Sequence, residues 1–200
     1  SIGLVGSEMC IRDSINASKV MSLTGSTFAL LNAYESNEIS GLGNEIAIIS
    51  DTSIDASLLN ALDENTTGII NASSVNTLTG SASEINTILS SNEISNLGNQ
   101  SITISDTSID ASLLNALDEN TTGIINASSV NTLTGSASEI NTILSSNEIS
   151  NLGNQSITIS DTSIDASLLN ALDKNTNIII NANSLSTCLL YTSDAADDRV

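Results

Sequence analysis

The stretch "SDTSID" (Ser50 to Asp55) sets two carboxylates, three hydroxyls and a run of backbone carbonyls within one turn's length of chain. Oxygen ligands of these kinds, about six to eight of them, are what a calcium ion takes. The stretch occurs three times, so Asp51, Asp55, Asp106, Asp110, Asp161 and Asp165 form the calcium candidates of the chain. It lacks the Asp-x-Asp-x-Asp-Gly spacing of an EF-hand loop and the Gly-Gly-x-Gly-x-Asp pattern of calcium β-rolls. The competing reading gives these aspartates to helix N-termini, where a carboxylate answers the macrodipole.

Other chemistry is thin. Asp63 and Glu64 adjoin, and Asp51 and Asp55 lie four apart, so a carboxylate pair for acid–base work exists on paper. The segment Asp51 to Ser105 has no His, Cys, Lys, Arg or Tyr. Nucleophilic triads, Schiff-base chemistry and imidazole catalysis therefore have no residues to run on there. The expectation is a chain that is not an enzyme and needs no cofactor, calcium being the exception held open. "SITIS" (Ser101 to Ser105) turns Ser and Thr to one side and Ile to the other, which offers polar rows to a glycan or, with less support, to ice. Asn65, Asn71 and Asn99 open N-x-Ser/Thr sequons, which chance alone produces in so Asn-, Ser- and Thr-rich a chain.

The elements that must position these residues follow from period and caps. Ile54, Leu58 and Leu62 are spaced as one helical face with Leu59 widening it, Ser53 or Asp55 can cap the start, and Asn65 can stop it. Ser81 to Glu84 fits a capping box ahead of Ile85, Ile88 and Leu89. "SITIS" alternates as a half-buried strand does, with Ile102 and Ile104 on one side. "GIINASSVNTLT" is a second strand-like stretch, before the second helix.

Above this sits a repeat. Asp51 to Ser105 recurs unchanged from Asp106 to Ser160. The period is about 55 residues, a length that points to a solenoid or a similar array. A truncated copy spans 161–187, and a diverged partial copy spans 15–50. Identical neighbours mean recent duplication, or a repeat duplicated in sequence assembly. Each period divides into halves of about 27 and 28 residues, read as one strand plus one short helix each, the size of unit that stacks in repeat proteins. Helices of about ten residues do not stand alone in water, so the halves must stack on one another. The fold expected is an α/β solenoid, with a β-solenoid as the alternative. "ISNLGNQSITIS" departs from the leucine-rich-repeat signature, which argues against a horseshoe of that geometry.

Composition narrows the partners. Four basic residues face 23 acidic ones, a net charge of −19, and His, Trp and Pro are absent. Phosphate binding needs Lys and Arg, and base stacking needs aromatics, so nucleic acid is not an expected partner. No apolar run approaches the length of a membrane span. Such acidity suits seawater-like salt, where self-repulsion is screened.

Both cysteines, Cys10 and Cys188, lie in end segments unlike the interior. "MCIRD" can be back-translated ATG TGT ATA AGA GAC, and "CLLYTS" TGT CTC TTA TAC ACA TCT, which contains the reverse complement. "LVGSEMCIRDS" (Leu4 to Ser14) and "CLLYTSDAADD" (Cys188 to Asp198) resemble the two arms of a translated transposase-type sequencing-library adapter. The resemblance implies that 1–14 and 188–200 are not native protein; the competing reading is a Cys10–Cys188 clasp. The interior, for its part, is similar to acidic, Asn/Ser/Thr-rich tandem-repeat surface proteins of marine bacteria, cyanobacteria included. That likeness implies a non-enzymatic, adhesin-like spacer at the cell surface or outside the cell, whose contacts are adjacent repeats. The alternative is an array that binds calcium or glycan.

Overall fold

The computed structural model describes residues 14–186. Residues 1–13 and 187–200, with Cys10, Cys188 and most of both adapter-like segments, lie outside the described residues. The chain divides into two units. One runs through Thr103 and includes Asn120–Ile124; the other takes Ile104–Glu119 and the chain from Ile125 on.

The first unit contains β1 (Ile15–Asn16), β2 (Ser22–Gly25), α1 (Thr27–Tyr34), β3 (Ile39–Ser40), β4 (Ile46–Ile49) and β5 (Ser53–Asp55). It continues with α2 (Ala56–Asn65), β6 (Ile70–Asn71), β7 (Thr77–Gly80), α3 (Ala82–Ser90), β8 (Ile94–Ser95) and most of β9 (Ser101–Ile104). All pairing is parallel. β1 lies beside β3, β2 through β8 alternate as the ladder β2-β4-β6-β8, and β5 lies beside β7. The Ser101 amide carries the second ladder on, donating to the Asn76 carbonyl at 3.0 Å. Successive partners keep a nearly constant separation along the chain, as in Ser53↔Thr77 and Ala47↔Ile70. One coil of the solenoid is therefore about 24 residues, within the usual range for stacked repeats. Along it α1, α2 and α3 pack in series.

The second unit repeats the plan with β10 (Ser108–Asp110), α4 (Ala111–Glu119), β11 (Ile125–Asn126), β12 (Thr132–Gly135) and α5 (Ala137–Leu144). Then come β13 (Ile149–Ser150), β14 (Ser156–Ile159), α6 (Ala166–Asn175) and β15 (Ile180–Asn181). β10-β12-β14-β15 form one parallel ladder and β11-β13 another, with partners again one coil apart. α4, α5 and α6 pack in series. The fold is an α/β solenoid of strand–helix units; with six helices among the described residues, the all-β alternative does not hold.

The division within each period differs from the even halves expected. Asp51 to Ser105 holds two helices and five strands, β5 to β9, and the step from Thr27 to Ala56 between helix starts is longer than the step from Ala56 to Ala82. The cause is arithmetic. Two coils fall short of one period, and the short stretch left over lays an extra strand between β4 and the next helix. β4 starts at Ile46 and β5 at Ser53; β4 continues an existing ladder while β5 opens a new one.

Local packing follows the caps. In α2 the buried residues are Ala56, Leu59 and Leu62, and in α3 Ala82, Ile85 and Ile88. Ile54, expected on the helical stripe, belongs to β5 instead, where alternation buries it to 4 % exposure between two exposed neighbours. The helix starts after Asp55 because that side chain accepts from the Ser57 amide; Leu58 is only half-buried. The second helix opens as expected, on a full capping box between Ser81 and Glu84. Coils approach so closely at Gly68 and Gly123 that a Cβ there would sit 2.0 and 1.9 Å from the carbonyl oxygens of Glu45 and Gln100.

Candidate functional site

The six candidate aspartates separate into two roles. Asp55 is the N-cap of α2, accepting from the Ser57 amide at 3.0 Å and from the Ser57 hydroxyl. Asp110 takes the same bonds from Ser112, and Asp165, N-cap of α6, from Ser167. The Ser167 hydroxyl bond, joined by the amide bond, holds the Asp165 carboxyl below its ordinary range. Asp51 turns the other way along the array. Its Oδ2 accepts from the amide of Thr27 at 2.6 Å and its hydroxyl at 2.8 Å, at the first residue of α1. Asp161 likewise accepts from the Ala137 amide, the first of α5, at 2.6 Å. Asp106 has a partner of its own. "SDTSID" thus sends its carboxylates to two different helices, one behind and one ahead, because one turn of the coil puts Asp51 beside the start of the preceding helix. Among the described residues no three acidic, His or Cys side chains converge as metal ligands.

Asp63 does not work with Glu64. It reaches into the next coil, where the Ser91 hydroxyl donates to its Oδ2 at 3.1 Å and to Glu93 at 3.3 Å. Asp118, Ser146 and Glu148 repeat the bridge. Each aspartate sits in the last turn of its helix, the negative end. Burial, with smaller repulsion from Glu93 and Glu64, raises the Asp63 pKa although Ser91 opposes it. Asp118 is raised for the same reasons. The Asp63 Oδ1 is buried with no hydrogen bond. The sequence hides this contact, since so long a separation along the chain has no local signature.

A second brace holds the turn before each β4-type strand. Gln100 is 5 % exposed; its Oε1 accepts from the amides of Gly98 and Asn99, and its Nε2 donates to the carbonyls of Val75 and Asn96. Gln155 does the same one period on. In the diverged copy the position is Glu45, which accepts from Gly43 and Asn44 but has no proton to donate. There the residue equivalent to Leu89 is Tyr34, placed beside Glu45. Burial opposes ionisation of Glu45, yet Tyr34 and the backbone amides outweigh it and hold its carboxyl below the usual range. Burial, and next the Glu45 carboxylate, push the Tyr34 hydroxyl up to about 12.

Two of the three sequon side chains are likewise occupied: Asn65 donates to the Ala61 carbonyl, and Asn71 accepts from Ser73 and from Asn96. Thr79, on the outward side of β7, stands 3.4 Å from Asp55. What the repeat arranges chemically is a set of bonds from one coil to the next.

A family model described as ubiquitin binding region matches residues 46–65 and 102–120. The two stretches lie at the same phase of the repeat, each ending at the close of a helix, α2 or α4. No curated protein and no solved structure gives a significant match.

Proposed function

We propose that this chain is a structural spacer, a non-enzymatic repeat segment of a large extracellular or cell-surface, adhesin-like protein. The observation that carries the reading is where the polar side chains go. Bonds from the Thr27 amide to Asp51, Asn60 to the Glu84 carbonyl, Thr66 to the Gly43 carbonyl and Gln100 to the Val75 carbonyl each join positions one coil apart. They tie coil to coil, which is the work of an array and not of a ligand site. The acidic surface supports a setting in strong salt.

A second reading, a ubiquitin-binding array, rests on the matched family. Against it stands burial: Leu59, Leu62, Leu114 and Leu117, apolar residues of the matched helices, are all 0 % exposed and cannot serve as anchors for a partner. Isothermal titration of the full chain with calcium, simple glycans and ubiquitin tests all readings together. A spacer gives no saturable heat and a melting temperature that calcium or chelator, at matched ionic strength, does not move. Saturable heat with calcium or a glycan makes it a ligand-binding array, and with ubiquitin a member of the second reading.

A further inference from the structure

We infer that Asn99 and Asn154 are acceptor sites for asparagine-linked sugar, at the same phase of two successive repeats; the inference rests on the cell-surface part of the spacer reading. The N-x-Ser/Thr sequons of the chain differ in what the fold does with the asparagine side chain. Asn65 and Asn120 engage the nitrogen that would carry the sugar: the Asn65 Nδ2 donates to the Ala61 carbonyl at 2.8 Å, and the Asn120 Nδ2 to Asn86 at 2.7 Å. Asn16, Asn71 and Asn126 lie on the paired strands β1, β6 and β11. Each turns its Oδ1 back onto the amide two residues on, that of Ser18, Ser73 or Ser128. Asn99 and Asn154 do neither. Both are exposed, and their hydrogen bonds run from the main-chain amide, to Gln100 and Gln155, leaving the side chains without a partner among the described residues. The following coil is in place beside both loops: the Thr122 amide meets the Gly98 carbonyl at 2.7 Å, and the Asn177 amide meets the Gly153 carbonyl at 3.4 Å. The exposure therefore belongs to the repeat.

The acceptor loop is fixed in its main chain and open around its side chain. The Gln100 Oε1 ties down the Gly98 and Asn99 amides. Gly98 has φ +118, and a Cβ there would meet nothing within 4 Å; the backbone conformation calls for glycine, and the space beside it stays open. A groove of about 540 Å³ runs alongside, lined by Asn76, Asn96, Asn99 and Thr122 among others and by no charged side chain. It leaves room for a neutral sugar on a chain that otherwise carries −19. The hydroxyl residue of each sequon, Ser101 or Ser156, opens β9 or β14 and is exposed as well. The side-chain nitrogen attacks the anomeric carbon of a hexose activated as a nucleoside diphosphate ester, on a separate glycosyltransferase. A carbon–nitrogen bond forms and the carbon–oxygen bond to the diphosphate breaks. The nucleoside diphosphate leaves with the electron pair, and the nitrogen gives up one of its two protons. The diverged copy supplies a comparison: Asn44 stands at the same phase and is exposed, but Ile46 takes the place of the serine, so the sequon is missing.

The folded full chain, incubated with UDP-glucose and a soluble asparagine N-glucosyltransferase of proven activity on a peptide acceptor, tests this. Cleavage after glutamate leaves Asn99 and Asn154 on different peptides, which mass spectrometry then maps. One hexose on each is expected, with Asn16, Asn44, Asn65, Asn71, Asn120 and Asn126 bare. Asn99→Gln and Asn154→Gln should each lose one hexose. Ile46→Ser, at a side chain already 47 % exposed, should gain one on Asn44. A chain bare at Asn99 and Asn154 overturns the inference and leaves the spacer reading standing. Equal loading of the other sequons, or an Ile46→Ser chain folded by circular dichroism yet bare at Asn44, overturns it too. Saturable ligand heat from a chain that takes both hexoses removes the spacer reading alone.

Discussion

At the scale of single residues, the charged side chains are unequal. Asp63 and Asp118 are carboxylates whose pKa values the fold raises above the ordinary 3.8. The native state is penalised where they are ionised, and the penalty lifts as pH falls through their raised values. Glu45 is lowered from 4.5, so its contribution is present above that value and is lost as pH falls through its folded pKa. Thermal stability should therefore climb as pH falls through the raised Asp63 and Asp118 values, and Glu45 should oppose that climb only below its ordinary 4.5. Asp63→Asn and Asp118→Asn should each stabilise by about 0.3–1 kcal/mol at pH 7, removing a negative charge from a helix C-terminus, and should flatten that climb; melts at a series of pH values check both. Tyr34 lies beside Glu45 in the diverged copy, its buried hydroxyl outside hydrogen-bond geometry. Gln100→Glu should cost about 1–3 kcal/mol, because a carboxylate replaces the donor to two carbonyls. Adding Leu89→Tyr should recover part of it, and a double-mutant cycle in urea would measure the coupling.

Elements are fixed by how closely coils approach. Gly123 stands where a Cβ would strike the Gln100 carbonyl, and the Thr122 amide meets the Gly98 carbonyl at 2.7 Å. In the last copy this glycine is replaced by Ile178, and the equivalent bond, Asn177 to the Gly153 carbonyl, lengthens to 3.4 Å. Gly123→Ile should accordingly destabilise by about 1–3 kcal/mol, as overpacking does. Ile178→Gly should tighten its coil. Urea midpoints of the two variants, moving in opposite directions, are the readout. The helices themselves depend on caps that come from two places: Asp55 acts within its own segment, whereas Asp51 caps a helix that began one coil earlier. This is why a calcium loop and a pair of helix caps look alike in the sequence.

For the whole molecule, charge and repetition set the behaviour. A chain carrying −19 with only four basic residues repels itself, and the Debye length falls from about 10 Å at 0.1 M salt to about 3 Å at 1 M. The melting temperature should rise with sodium chloride across that range; a flat response would mean that the surface charge has no bearing on stability. Calcium chloride at matched ionic strength should do no more than sodium chloride does; a larger rise would mark a carboxylate site.

The repeat period, the strand alternation at Ile102 and Ile104, the capping box at Ser81 and the α/β class were all legible in the sequence, because each depends on residues close together in the chain or on plain recurrence. The partition into five strands and two helices was not, nor the place of Ile54 on a strand. These depend on a coil that does not divide the period evenly, its length set by how strands stack and not by any local pattern. The same holds for the Asp51–Thr27, Asp63–Ser91 and Gln100–Val75 bonds. Types and counts of residues determined that the repeat is acidic and holds no His, Cys, Lys, Arg or Tyr; only stacking decided which carboxylate meets which helix, since one turn of the coil, and not distance along the chain, makes neighbours here.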